Sequence, residues 1–149
     1  AFAKAQMAAG HMLPLGGKVF ISVKNHDKPA AVQLARDAIA LGFGVVATHG
    51  TAEALEKEGL DVTPVNKVQE GRPHIVDMMK NGDINLVFNT TESKQAVVDS
   101  FSIRRTALTD DIPYYTTVAG ARATLRAIDN LKRGALAVRP VQEYLGDKY

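Results

Sequence analysis

The chain has 149 residues, enough for one domain that buries roughly 68 to 70% of the surface its unfolded form exposes. Hydrophobic residues make up 46% of it and charged residues 23%, with a net charge of +2, which excludes a disordered or fibrous chain and argues against a polyelectrolyte that grips nucleic acid. It contains no cysteine, so disulfide frameworks and thiolate metal sites are excluded and a reducing cytoplasm fits; no apolar run approaches the ~18 residues of a membrane span.

The first residues, Phe2-Ala3-Lys4-Ala5-Gln6-Met7-Ala8-Ala9-Gly10, are helix-like but lack an initiator Met, a cap and the pattern of a signal peptide. Pro14, Gly16 and Gly17 make residues 11–17 a turn-rich connector. We expect residues 1–17 to be the end of a preceding domain with its connector, and residues 18–149 to form one domain. A strand is expected over 19–23, followed by a helix over 29–41 whose Ala31, Leu34, Ala35, Ala38 and Ile39 share a face before Gly42 stops it. The same rhythm continues with strands over 43–47 and 62–65 and helices over 52–57 and 74–80. A strand over 84–88 leads to a stretch, 93–108, that is helical at least in its first half. A short strand over 113–116 precedes a last helix over 119–132, closed by Gly134. Parallel neighbours need crossovers, and right-handed crossovers place helices over the sheet, so the expected fold is a three-layer α/β/α domain with a five-stranded parallel sheet.

In such a sheet ligands bind beyond the carboxyl ends of the strands. The residues expected there are Lys24-Asn25-His26-Asp27-Lys28, Thr48-His49-Gly50-Thr51, Asn66-Lys67, Asn89-Thr90-Thr91 and Thr116-Thr117. Hydroxyls, amides and lysines recur while carboxylates are few, which suits an anion that carries hydroxyls. Between a strand and a helix, Thr48 to Thr51 offers free backbone N–H groups and a helix dipole to a phosphate, Gly50 permits close approach, and Lys28 adds a point charge. Singly, the threonines equally suit helix caps and the lysines a solvated surface; Arg104 and Arg105 suit an exposed helix face, and Tyr114-Tyr115 a core or rim. The four histidines, at 11, 26, 49 and 74, lack metal-ligand spacing. It is the joint placement at successive strand ends that points to a phosphate-bearing small molecule.

Three stretches resemble one family. Ala47-Thr48-His49-Gly50-Thr51-Ala52, then Val65-Asn66-Lys67-Val68-Gln69-Glu70-Gly71-Arg72-Pro73-His74-Ile75, then Asn89-Thr90-Thr91 are similar to the methylglyoxal-synthase-like domain that ends bacterial carbamoyl-phosphate synthase large subunits. Phe2-Ala3-Lys4-Ala5-Gln6 and Leu13-Pro14 resemble the segment joining that domain to the rest of the polypeptide, so the resemblance covers essentially the whole chain. It implies a methylglyoxal-synthase-like fold and a regulatory domain of a glutamine-dependent, ATP-using enzyme of pyrimidine and arginine synthesis. The effector would be a nucleoside monophosphate such as UMP or IMP. By that resemblance Lys28, Thr48, Gly50 and Thr51 hold the phosphate, and Lys67, Asn89, Thr90, Thr91 and Ser100 the nucleoside. Asp99, Tyr114 and Thr116 match a site for ornithine at a domain interface. Lys94 and Tyr115 depart from the residues of some relatives.

The resemblance further implies no catalytic residue and no cofactor in this domain, with ATP, Mg2+ or Mn2+, and K+ serving the parent enzyme. Its partners would be the rest of the large subunit, a glutaminase small subunit and the nucleotide, within a cytoplasmic, oligomeric parent, with neither nucleic acid nor membrane. The rival reading is a lyase of the methylglyoxal synthase type acting on dihydroxyacetone phosphate, which needs a carboxylate base beside the carbonyl. Methylglyoxal synthase supplies an aspartate after its third strand; here the matching stretch is Glu70-Gly71-Arg72, and a guanidinium stays protonated and cannot serve. A flavodoxin-like electron carrier follows from topology alone, and no aromatic residue at a strand end is placed to stack on a flavin.

Overall fold

The computed structural model describes residues 13–91 and 100–146. Among the described residues five strands and five helices alternate: β1 (Gly17–Ser22), α1 (Lys28–Ala40), β2 (Phe43–Thr48), α2 (His49–Lys57), β3 (Thr63–Val65), α3 (Ile75–Lys80), β4 (Leu86–Asn89), α4 (Phe101–Thr109), β5 (Tyr114–Tyr115) and α5 (Val118–Gly146). Short 3-10 turns cover Asn25–Asp27 and Val68–Glu70. All strand pairs are parallel and the sheet order is β3-β2-β1-β4-β5, so the winding reverses between β1 and β4. That reversal opens a crevice at the carboxyl ends of the central strands.

The alternation of side chains along each strand builds two cores. Val19, Ile21, Phe43, Val45, Ala47, Leu86 and Phe88 pack under α1, α2 and α5. Phe20, Val46 and Val87 point the other way, to α3 and α4. Side chains one residue apart on a strand lie on opposite faces, so near-continuous apolar strands mean a sheet covered on both sides, as expected. At the sheet's amino end Gly17 is indispensable: its φ is +107°, and a Cβ there would lie 2.1 Å from the Asn85 amide oxygen that accepts the Lys18 N–H at 3.0 Å.

Most boundaries shift by one or two residues from the sequence expectation, and three larger differences have a physical reason. α2 begins at His49 rather than at 52, because Gly50 and Thr51 take helical geometry in its first turn instead of forming a loop. α5 runs through Gly134 to Gly146; a helix stops at glycine only where the chain turns left-handed, and Gly134 has no positive φ. Of the expected face of α1, Ala31, Leu34, Ala35 and Ala38 are buried but Ile39 is exposed. Ile39 lies about 100° round the helix from Ala38, past the edge of the stripe that meets the sheet. The expected helix over 93–108 is seen from Phe101 on, and its first half lies mostly outside the described residues.

Candidate functional site

The last row of the sheet is polar. Thr48 is paired with Val65 of β3, Ser22 with Asn89 of β4, and Thr116 follows Tyr115, the partner of Phe88. One step beyond the Ile21–Ala47 pair, the Thr48 hydroxyl donates to Ser22 Oγ at 3.2 Å. Side-chain parity directs Ser22, Thr48 and Asn89 to the same face as Phe20, Val46 and Val87.

Around β1 the hydroxyls are fixed by backbone. Thr51 Oγ1 accepts the Val23 N–H at 3.2 Å and Thr90 Oγ1 accepts the Lys24 N–H at 3.1 Å, while the Thr90 N–H donates to the Ser22 carbonyl at 2.9 Å. Thr48, Thr51 and Thr90 are 4%, 2% and 8% exposed, so these are desolvated groups with one orientation each. A hydroxyl that accepts a backbone N–H still has its own hydrogen to donate. Thr51 and Thr90 thus present donors without being free to turn away. Thr48 occupies the cap position of α2 yet makes no cap bond, which leaves the first-turn N–H groups of α2 without a side-chain acceptor from it. The capping reading of Thr48 is therefore corrected: its hydroxyl reaches Ser22 Oγ at 3.2 Å and Thr51 Oγ1 at 3.5 Å rather than a backbone N–H of its helix.

Lys28 opens α1, and its ammonium donates to Asn25 Oδ1 at 2.5 Å. The same nitrogen lies 3.4 Å from where a Cβ on Gly50 would stand. Two helix starts thus meet: the cation of α1 lies over the first turn of α2, and Gly50 makes the room. Beside this junction a groove of about 610 Å³ runs between α1 and α2, with Lys28 and Gly50 at one end and Glu53, Lys57 and Glu58 also in its lining. The first-turn N–H groups of α2, the positive end of its dipole and the Lys28 ammonium lie together at Gly50, an arrangement that can hold an anion such as a phosphate, with the threonine hydroxyls at the neighbouring strand ends.

The other expected residues are spread along the same edge. Asn89, 3% exposed, donates through Nδ2 to the Tyr114 hydroxyl at 3.0 Å. Burial pushes the Tyr114 phenol above its ordinary pKa, while the Asn89 hydrogen bond and the charge of Arg104 pull it partly back. Lys67 is exposed before the Val68–Glu70 turn, Thr91 and Ser100 are half-buried, and Thr116 is exposed. Among the described residues no hydrogen bond joins Lys67, Thr91, Ser100 or Thr116 to the hydroxyl cradle. Lys94 and Asp99 lie outside the described residues.

Sequence reasoning missed Ser22, which was placed inside an expected strand. Asn25, His49 and Asn66 were expected at strand ends but without these partners; His49 Nε2 and Asn66 Oδ1 are 3.0 Å apart. Because the Asn66 Nδ2 donates to the Gly71 and Pro73 carbonyls at 3.4 and 3.1 Å, its Oδ1 must accept and His49 must donate from Nε2. Counting strand parity to the last pair would have exposed Ser22; no sequence signal predicts the His49–Asn66 contact. At the position that a lyase would need for its base, Arg72 is exposed and 3.6 Å from Asp77. Glu70 is engaged with the Lys67 N–H at 2.6 Å, and Asp77 with the His74 N–H at 3.0 Å. Among the described residues no group of three His, Asp or Glu side chains is placed to hold a metal ion, and no helix is long and apolar enough to cross a membrane.

A family model described as MGS-like domain matches residues 30–116. The carbamoyl phosphate synthase large chain of Myxococcus xanthus is 55% identical over 98% of this chain, and that of Brucella suis 52% over 97%. The chain spans 14% and 12% of those relatives' lengths. Among solved structures, methylglyoxal synthase from Elizabethkingia anophelis superimposes with a TM-score of 0.62 at 18% identity, covering 76% of this chain and 79% of that one. At that identity the likeness concerns the fold alone.

Proposed function

Because the chain belongs to the family of MGS-like domains, we propose that it is the effector-binding domain of a carbamoyl phosphate synthase large chain and that it holds the phosphate of a nucleoside monophosphate, UMP or IMP. The observation that carries this reading is the end of the second strand: the Lys28 ammonium stands over Gly50 in the first turn of α2, which the buried hydroxyls of Thr48 and Thr51 flank. The two named relatives, which match nearly the whole chain, support the parent. Lys67, Asn89, Thr90, Thr91 and Ser100 follow as the nucleoside side, since they sit past β3, at and just past the end of β4 and at the start of α4. The half-buried Tyr114 and exposed Thr116 of the β5 edge, with Asp99, are the candidates for ornithine against a neighbouring domain. ATP, Mg2+ or Mn2+, K+ and the glutaminase subunit would then act elsewhere in a cytoplasmic, oligomeric parent.

Calorimetric titration of wild type and Lys28→Ala with a monophosphate and with its nucleoside tests the assignment. Charge-assisted hydrogen bonds are worth roughly 1.5 to 3 kcal/mol, so Lys28→Ala should bind the monophosphate about tenfold to a hundredfold more weakly. The nucleoside should bind poorly to both and scarcely notice the change. Equal affinity of the two proteins for the monophosphate would place the phosphate elsewhere. Methylglyoxal formation from dihydroxyacetone phosphate, abolished by Glu70→Gln, would replace this reading by the lyase.

A further inference from the structure

The cradle sits at one end of α1, and the other end is held in an unusual way. Lys132 of α5 donates from Nζ to the Leu41 carbonyl, just past the last turn of α1, at 2.5 Å, and to the Leu15 carbonyl at 3.1 Å. Among the described residues it pairs with no carboxylate. An ammonium at a helix carboxyl end meets the negative pole of the dipole and satisfies an orphan carbonyl. Here it does so while gripping a second segment, residues 13–17, whose Leu13 is buried in the core.

Between these ends α1 is one continuous helix. It is 13 residues long, or about 20 Å at 1.5 Å per residue. Its buried face is Ala31, Ala35 and Ala38 around one large side chain, Leu34. Open grooves flank it: the one of about 610 Å³ between Val32 and Ala54 of α2, and another of about 580 Å³ between Asp37 and Arg126 of α5.

We propose that Lys132 is the positioning residue through which an anion bound at Lys28 acts on the rest of the polypeptide, with α1 as the sliding rod and the Leu15 carbonyl as the point of delivery. The inference rests on the proposed function, which makes residues 13–17 the link to the remainder of a large chain. A phosphate held between the Lys28 ammonium and the first turn of α2 ties the start of α1 to α2, so it favours one position of α1 over another, as any allosteric ligand must. The carbonyl of Leu41 moves with the rod, and Lys132 bridges that motion to Leu15.

The test uses the complete enzyme, large chain with small subunit, as wild type, Lys132→Met and Lys132→Arg, with UMP and IMP as probes. Methionine keeps the stem and removes the donors; arginine keeps donors. The expected result for Lys132→Met is unchanged activity without nucleotide, nucleotide affinity within about twofold of wild type, and a ratio of activities with and without saturating nucleotide close to 1, because the coupling between sites is lost while the site remains. Lys132→Arg should retain most of the response. Backbone hydrogen exchange over residues 15–18 should change on nucleotide binding in wild type and not in Lys132→Met. Should Lys132→Met not fold, Lys132→Gln, which can serve only one of the two carbonyls well, carries the same comparison. A full response in the folded variant overturns the role of Lys132 while leaving the nucleotide site standing. A wild-type enzyme that binds neither nucleotide removes the site, and this inference with it.

Discussion

The polar row at the carboxyl end of the sheet has two unlike regions. At its centre, Thr51 and Thr90 are tied to consecutive backbone N–H groups after β1 and are almost fully buried. At the β5 edge, Asn89 and Tyr114 meet side chain to side chain, the strand is two residues long, and Thr116 is exposed. Backbone-anchored hydroxyls cannot rotate to suit a guest, so the centre is preorganised for one small anion. The edge is adaptable and open, which suits a surface completed by a neighbour. Fixed geometry and open geometry therefore divide phosphate recognition from interface chemistry along one row.

The largest effect should come from removing an anchor. Thr51→Val leaves the Val23 N–H buried without an acceptor, a cost of about 1 to 3 kcal/mol, and removes one donor to the phosphate. Thermal unfolding should show the loss, and monophosphate affinity should fall more than about tenfold. Thr116→Val, at the exposed end of the same row, should stay within about 0.5 kcal/mol of wild type and bind the monophosphate normally. If the two substitutions behaved alike, the distinction between centre and edge would collapse.

A smaller effect is expected at Tyr114. Tyr114→Phe deprives the buried Asn89 amide of its acceptor, for about 0.5 to 1.5 kcal/mol, and should leave phosphate affinity unchanged. The phenol also makes a pH prediction. Its pKa is raised in the folded protein, mainly by burial, so the folded state holds this proton more tightly than the unfolded one. The contribution is present below the ordinary phenol range and is lost as pH rises through the raised value. Phenolate absorbance in the ultraviolet, wild type minus Tyr114→Phe, should show a tyrosine that ionises later than a free one. An ordinary titration would mean that the edge is wetter than its geometry indicates.

Much of this architecture was legible in the sequence, because strand burial on both faces leaves apolar runs that end abruptly in polar residues. That signal brought out all five strands and located Lys28, Thr48, Gly50 and Thr51 at two neighbouring ends. Sheet order and the link from Thr90 to Lys24 were not legible, since pairing between segments 66 residues apart leaves no local pattern. The start of α2 was misplaced because Gly50 and Thr51 have the composition of a loop. Only the neighbouring Lys28 explains why a glycine stands in a helix there. The end of α5 was misplaced for the converse reason, a glycine read as a stop where the backbone stays helical.

Gly50 separates stability from function most finely. It sits in the first turn of α2 with helical rather than left-handed geometry, so alanine fits the backbone and should stabilise the fold by about 0.4 to 1 kcal/mol through the unfolded chain. The added Cβ would stand 3.4 Å from the Lys28 ammonium, in ordinary contact with the end of a flexible side chain, so the fold need not resist it. What must yield is the space between that ammonium and the first-turn N–H groups, the place assigned to the phosphate. Gly50→Ala should therefore melt higher and bind the monophosphate several-fold more weakly, two changes of opposite sign from one methyl group. Thermal unfolding and calorimetry on the same sample measure both. A higher melting temperature with undiminished affinity would show that the anion does not pass between Lys28 and α2, and that the preorganised centre lies nearer Thr90.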